Sequence, residues 1–343
     1  MSKILVTGGT GYIGSHTVVE LLQQGFKVVI VDNLSNSFIE VLDGIEHICG
    51  QRPTFIEADC TDMAAMKSIF SQNPDISAAI HFAASKAVGE SVEKPLLYYR
   101  NNLVSLINLI ECLENNGGGN LVFSSSCTVY GQPDTLPVTE QAPIKLAESP
   151  YGNTKQISEE IITDAIKANK KLKAIALRYF NPIGAHPSAE IGELPIGVPN
   201  NLIPYVTQTG YGLRNVLNIF GKDYNTPDGT AIRDYINVVD LAKAHVAAIA
   251  WLATSKEKQT LEVFNIGTGK GLSVLEIVTT FEKVTGIKLP YQFVDRRLGD
   301  IEQVWADTSL ANKVLGWKAI IPLEDTLLSA WKWEQRYRSK NKK

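Results

Sequence analysis

Tyr151-Gly-Asn-Thr-Lys155 sets a phenol and an ammonium four residues apart, on one face of a helix that Ser149-Pro150 would start. A free tyrosine has a pKa of about 10 and is a poor base at neutral pH. A lysine cation about 5 Å away, at an effective dielectric near 20, contributes roughly 3 kcal/mol, or about two pK units toward phenolate. Such a tyrosine would be poised near pH 7 to accept or return a proton. Ser124-Ser125-Ser126 closes an apolar run upstream. One of these hydroxyls can bond the same substrate oxygen as Tyr151, while the others cap a turn.

A second constellation sits at the N-terminus. Gly8, Gly11 and Gly14 give G-x-x-G-x-x-G between a short apolar run, Ile4-Leu5-Val6, and a helical pattern from Tyr12 to Gln24. Glycines there permit a tight turn and close approach of backbone to a pyrophosphate, which the helix N-terminus attracts through its free amides and dipole. Asp32 follows Gly14 by 18 residues, at the end of the next apolar run. Its carboxylate can bond both ribose hydroxyls of an adenosine. Asn33 and Leu34 follow, with no adjacent arginine for a 2′-phosphate, so the reading is NAD rather than NADP. No G-x-x-x-x-G-K-[ST] occurs, which argues against a nucleotide triphosphatase.

The elements that must hold these residues alternate. Apolar runs at Val28–Val31, Thr54–Ile56, Ala78–Phe82, Leu121–Phe123 and Ala174–Leu177 are separated by helical stretches, clearest at Leu96–Glu114 and Gln156–Ala168. Continuous apolar strands between helices predict an α/β protein with a doubly wound parallel sheet, whose strand C-terminal ends face the ligand crevice. Beyond residue 180 the texture changes. Asn181 to Pro204, rich in Pro, Gly and Asn, reads as loop. Short strands at 217–220 and 263–266 and helices near 240–253, 273–285 and 323–337 read as a smaller C-terminal α/β lobe. The expected division is 1–180 for the cofactor and 181–343 for the substrate, with some later segments packing back on the first.

Composition narrows the class. The chain is 44% hydrophobic and 20% charged, with a net charge of −3, so no whole-chain basic footprint for nucleic acid exists. The four cysteines, 49, 60, 112 and 127, show no C-x-x-C spacing, and no metal site is expected. The first strand-like run begins at Lys3, leaving no room for a signal peptide. The longest run without a polar residue in the C-terminal half, 246–253, is too short to span a bilayer. The expectation is a cytoplasmic protein with reduced thiols and no membrane partner. The basic tail, Arg336, Arg338, Lys340, Lys342 and Lys343, suits a solvated helix end.

TGGTGYIGSHT at 7–17, VDNLSNS at 31–37, HFAASKAVGESV at 81–92, FSSSCTVYG at 123–131, SPYGNTK at 149–155, LRYFNPIGAHP at 177–187, VPNNLIPY at 198–205, DGTAIRDYINVVDLA at 228–242 and WADTSLA at 305–311 run through nearly the whole chain. Together they resemble the extended short-chain dehydrogenase/reductase family and, within it, the UDP-glucose (UDP-galactose) 4-epimerases. The resemblance implies a Rossmann-type fold, tightly held NAD, a UDP-sugar substrate and a homodimer formed through a helical face of the cofactor domain. It implies that Tyr151 takes the proton from the sugar 4-hydroxyl, that Ser126 bonds the same oxygen, and that Lys155 holds the nicotinamide ribose. Tyr12, Ile13, Asn33, Asn36 and Ser37 would join Gly8, Gly11, Gly14 and Asp32 around the dinucleotide. Asp59 and Cys60 would lie by the adenine. Phe82, Ala83, Ala84 and Lys86 would line the cofactor path, with Asn101 and Phe180 facing it. The nucleotide sugar would meet Lys86, Tyr179, Asn181, Asn201, Leu202, Asn218, Phe220, Arg233, Arg297, Asp300 and Val304, besides Ser126 and Tyr151.

Arginine at 233 and 297 agrees with a dianionic pyrophosphate, although either could instead pair with a nearby aspartate, Asp234 or Asp295 and Asp300. His81, beside the fourth strand, reads as a core histidine. Two departures stand out. Cys127 sits between Ser126 and Thr128, and related 4,6-dehydratases carry an Asp-Glu pair around this point; this chain has no carboxylate there, so dehydration is not expected. Members restricted to unmodified hexoses carry a bulky tyrosine where this chain has Val304. A valine there frees tens of Å³, which fits a 2-acetamido group. The alternative substrate reading is therefore a UDP-N-acetylglucosamine 4-epimerase.

Overall fold

The computed structural model describes residues 2–255, 260–297 and 301–340. The N-terminal half alternates strictly: β1 (Lys3–Thr7), α1 (Tyr12–Gln23), β2 (Lys27–Asp32), α2 (Val41–Cys49), β3 (Thr54–Glu57), α3 (Met63–Gln72), β4 (Ile76–His81), α4 (Val88–Glu93), α5 (Pro95–Asn115), β5 (Gly119–Ser126), α6 (Pro150–Ala168) and β6 (Leu172–Tyr179). Then come β7 (Asn181–Ile183), α7 (Leu202–Gly210), β8 (Leu217–Phe220), β9 (Ile232–Arg233), β10 (Tyr235–Asn237), α8 (Val238–Thr254) and β11 (Glu262–Ile266). The chain closes with β12 (Leu272–Ser273), α9 (Val274–Thr285), β13 (Tyr291–Val294), β14 (Gln303–Val304), α10 (Ser309–Val314) and α11 (Leu323–Lys340).

Seven parallel strands form one sheet in the order β11-β6-β5-β4-β1-β2-β3. The order reverses at β1, so the turn after β1 opens into a crevice between neighbouring crossovers, the place where this architecture binds ligands. Both faces are covered, as continuous apolar strands require. One core joins Ile4, Val6, Ile30, Ile80 and Leu177 to α1 and α8, and the other joins Leu5, Val29, Ala79, Leu121 and Phe123 to α3, α5 and α6.

Later segments build a smaller lobe. β10 pairs with β7, β13 with β8, and β9 lies between β12 and β14. A third apolar cluster, around Val206, Ile219, Ile277, Phe281 and Trp331, fills it. Two features differ from the sequence reading. The segment read as loop opens with β7, whose three residues pair in parallel with Tyr235–Asn237, and it already includes the first turn of α7. Strand β11, read with the smaller lobe, instead completes the main sheet beside β6, and α8 packs on α1. Among the described residues no helix is long and apolar enough to cross a membrane.

Candidate active site

The turn between β1 and α1 is closed by backbone. Gly8 has φ of +69°, and a Cβ on Gly14 would lie 2.2 Å from the Gly8 carbonyl oxygen. Only glycine lets α1 start this close to the strand. No side chain caps α1, whose N-cap is Gly11, so its first amides remain open to an anion. Tyr12 reaches across to the second lobe and donates to the Gly184 carbonyl at 2.6 Å.

Asp32, at the end of β2, accepts from the Thr10 amide at 3.2 Å, the Leu34 amide at 3.0 Å and the Ser37 hydroxyl at 3.1 Å. These bonds fix its carboxylate beside the glycine turn. Asn33 donates to Asp59 at 3.2 Å, and Asn36 is exposed alongside. Cys60 is buried, and burial pushes its thiol up to about 12, so it serves as a wall rather than a nucleophile. Phe82, Ala83 and Ala84 follow β4, with the Phe82 amide bound to the Thr7 carbonyl. Asn101 donates to Ser85 at 3.2 Å. An uncapped helix start, a closed glycine turn and an anchored strand-end carboxylate together fit a dinucleotide.

Ser149 caps α6 through the Gly152 amide, and Pro150 takes the first helical turn, so the helix begins where Ser149-Pro150 signalled it. Tyr151 and Lys155 therefore share one face of α6, beneath the ends of β5 and β6. Register places Ser126 beside Tyr179. The Lys155 ammonium donates to the Ser124 carbonyl at 2.7 Å and lies 5.8 Å from the Tyr151 ring centroid. Ser124 Oγ and the Tyr179 hydroxyl are 2.5 Å apart.

Electrostatics correct one expectation. Burial pushes Tyr151 well up, and the neighbouring Tyr179 adds to this, while a hydrogen bond with Ser126 acts against it. Burial likewise drives Lys155 down to about 8. The lysine charge therefore does not produce the expected net lowering of Tyr151. The ammonium is turned toward the Ser124 carbonyl, and desolvation of the phenolate outweighs it.

Other expected residues form separate contacts on the later segments and the loop after β4. Lys86 stands 3.9 Å from Glu193, which also accepts from Asn201 at 2.5 Å. Leu202 starts α7, and Asn181 starts β7. Arg297 stacks on Phe220 at 3.9 Å from the ring centroid, rather than pairing with Asp295. Asn218, on the same strand as Phe220, accepts from Gln292 at 2.9 Å. Arg233 donates to the carbonyls of Ile232, Ile301 and Glu302. Its neighbour Asp234 accepts instead from the Thr268 amide and hydroxyl and from the Gly269 and Ala306 amides. Asp300 lies outside the described residues. Phe180 and Val304 meet in a buried cluster with Val129, Tyr130, Val138 and Ala306, against which Cys127 packs. His81 is buried, paired with the Thr7 hydroxyl at 2.8 Å and lowered to about 3, as a core histidine should be.

Glu193 was not singled out in the sequence. A carboxylate in a glycine- and proline-rich stretch carries no periodic signal, and only folding brings it to Lys86 and Asn201. The same holds for Glu159 and Arg178, a buried ion pair behind Lys155.

A profile of the family described as GDP-mannose 4,6 dehydratase matches residues 5–329. The UDP-glucose 4-epimerase of Bacillus subtilis is 51% identical over 331 residues, covering 96% of each chain. A crystal structure of UDP-glucose 4-epimerase from Stenotrophomonas maltophila, with bound NAD and formylated UDP-arabinopyranose, superposes with a TM-score of 0.95 at 46% identity, covering 99% of this chain and 100% of that one. The Bifidobacterium longum UDP-glucose 4-epimerase, in complex with NAD+ and UDP, superposes at 0.94 with 44% identity, covering 98% and 99%. At 126–128, where the resemblance implies no dehydratase carboxylates, this chain reads Ser-Cys-Thr. Likeness of this extent, over chain and fold alike, settles the kinship: the chain belongs to the UDP-glucose 4-epimerase family.

Proposed function

We propose that this protein interconverts UDP-glucose and UDP-galactose through a 4-keto sugar, using tightly held NAD. The observation that carries this reading is the convergence of Ser126, Tyr151 and Lys155 near the ends of β5 and β6, with Ser126 bonded to Tyr151 and the Lys155 ammonium 5.8 Å from its ring. When bound, NAD supplies reversible hydride transfer at the sugar C4. The residues supply the rest. Tyr151 takes the 4-hydroxyl proton as C4 is oxidised and returns it on reduction. Ser126 donates to the same oxygen. Lys155 holds a positive charge beneath the site, and a second positive charge at the cofactor ring would join it in favouring the phenolate that burial alone disfavours. The 4-keto sugar turns within the crevice between the two half-reactions. The cations Lys86, Arg233 and Arg297 suit the diphosphate.

The test is epimerisation of UDP-galactose by purified protein without added NAD. Turnover with no net growth of absorbance near 340 nm is expected. No turnover, even with NAD supplied, overturns the reading.

The second reading, a UDP-N-acetylglucosamine 4-epimerase, is favoured by valine rather than a larger residue at 304. UDP-N-acetylgalactosamine is then a substrate of the native enzyme. Val304→Tyr should abolish that turnover while sparing UDP-galactose. Equal loss of both sinks the pocket argument.

We also propose a homodimer. Val88, Val92 and Leu96 on α4 and α5 are 50%, 62% and 79% exposed, an apolar face on the cofactor half that a second copy would cover. Light scattering at twice the chain mass checks it. A division near residue 180, with α8 and β11 belonging to the first unit, accords with the sheet. Four free cysteines suit the reducing cytoplasm.

A further inference from the structure

One turn beyond Lys155 on α6 stands Glu159, on the face that also carries Tyr151. Its buried carboxylate accepts three hydrogen bonds, from Ser125 Oγ at 2.6 Å, Arg178 Nε at 2.9 Å and Arg178 Nη2 at 2.5 Å. Ser125 immediately precedes Ser126, and Arg178 immediately precedes Tyr179. The two strands pair Ser125 with Arg178 and Ser126 with Tyr179. Side chains alternate along a strand, so the first pair turns down to α6 while the second turns toward the other face. One carboxylate thus ties the ends of both strands to the helix that bears the tyrosine and lysine. Arg178 also stacks on Tyr130 at 4.8 Å, and the Tyr130 hydroxyl donates to Asn265 of β11 at 2.7 Å, which extends the tie to the edge of the sheet.

A buried ion pair is weak evidence for stability, because apolar residues of similar volume often serve as well. Its retention directly beneath a reacting group needs another account. We propose that Glu159 is a positioning residue for the Ser126–Tyr151–Lys155 group, locking the ends of β5 and β6 to α6 and supplying the negative charge that keeps Lys155 an ammonium. The catalytic part of this rests on the epimerase reading.

The surroundings of Lys155 leave that electrostatic task to Glu159. From β5 come the Ser124 carbonyl and the Phe123 ring, 4.9 Å away, neither of them charged. From β4 comes His81, held neutral by burial. From β6 come Tyr179, which burial raises to about 12, and the Arg178 cation. Tyr98 of α5 is raised by burial and by its bond to Glu90. On α6 itself stand Tyr151 and Glu159. Burial drives the Lys155 ammonium down, and the Glu159 carboxylate is the charge that opposes it. At i,i+4 spacing the two side chains start about 5–6 Å apart.

The test compares Glu159→Gln, which keeps shape and removes charge, with Glu159→Asp, which keeps charge. The first readout is the titration of Lys155 followed by lysine 15Nζ NMR. Its midpoint should fall by about one pH unit in Glu159→Gln and stay within a few tenths in Glu159→Asp. The second is the pH profile of UDP-galactose epimerisation. Its alkaline limb should move down with the NMR midpoint, lowering kcat with little change in KM. Because Glu159→Gln strands the Arg178 cation, Glu159→Gln/Arg178→Met is measured beside it, with the buried net charge unchanged. A smaller shift of the same sign is expected there. A Lys155 midpoint and alkaline limb that stay put in a variant with native circular dichroism overturn the proposal and leave Glu159 a structural residue. Failure of the wild-type enzyme to epimerise would instead defeat the function reading, while the NMR titration still decides the positioning.

Discussion

Replacing Gly14 with alanine tests the cofactor turn where its geometry is tightest. The new Cβ would lie 2.2 Å from the Gly8 carbonyl oxygen, 2.9 Å from Gly9 Cα and 3.0 Å from the Gly8 carbonyl carbon, whereas ordinary contact begins at 3.4 Å. Backbone stands on both sides, so no side chain can swing away. The turn and the start of α1 must separate by about 1 Å, because a close-packed interior offers no slack. Overpacking of this kind costs about 1–3 kcal/mol. Alanine's preference for helix over glycine offsets about 1 kcal/mol of it. The net loss of stability is therefore about 0–2 kcal/mol. Binding suffers more. The amides that open α1 move by the same distance, and a 2.9 Å N–H···O contact stretched by about 1 Å is no longer a hydrogen bond. Losing two charge-assisted bonds at about 1.5 kcal/mol each weakens NAD by roughly 100-fold. NAD released on denaturing the purified protein, and NAD titration by calorimetry, read this directly. Gly89→Ala is the control, since a Cβ there meets nothing within 4 Å. If Gly14→Ala carries NAD as the native protein does and melts at the same temperature, the close-approach argument is refuted.

Tyr151→Phe should lower kcat by at least about 10³-fold through loss of the proton carrier while NAD content stays native; surviving turnover would reassign the proton transfer. Asp234→Ala strands the Thr268, Gly269 and Ala306 amides and should reduce stability by about 3–5 kcal/mol in urea titration; a loss below 1 kcal/mol would show that water replaces the carboxylate. Burial lowers His16 and His81 to about 3 and His245 to about 4, below their ordinary value of 6.5. Folding holds all three neutral, so their contribution is complete above pH 6.5 and is lost as pH falls toward 3–4. Each removes about 3 kcal/mol at pH 4, enough together to unfold an ordinary domain. Acid unfolding monitored by circular dichroism should therefore begin well above pH 4, and His81→Gln should shift its midpoint to lower pH.

The main sheet was legible because each strand is a continuous apolar run and each crossover a helix, so period and length agree. The glycine turn and Asp32 were legible because their spacing is itself the mechanism. Tyr151 and Lys155 were legible as a pair, but not their balance of charge, which depends on how deeply both are buried and where the ammonium points. Strands β9, β12 and β14, at two residues each, are too short for any periodicity. Strand β11 was seen as a strand and grouped with the later segments without a partner, because an apolar run does not state which edge it joins. Glu159, Arg178, Glu193 and Asp234 carry no pattern at all. Each is defined by at least one partner far away in sequence.

That seventh strand sets a timetable for the nascent chain. The edge of β6 stays open until residues 262–266 have left the ribosome, although every other strand of the main sheet is finished by Tyr179. At 5–20 residues per second the wait is on the order of 4–17 s. During it the β6 edge offers unpaired amides and carbonyls to any passing strand. A chaperone that shields this edge during translation would raise the yield of native enzyme, and a stop codon placed between 180 and 262 would release a fragment prone to aggregate.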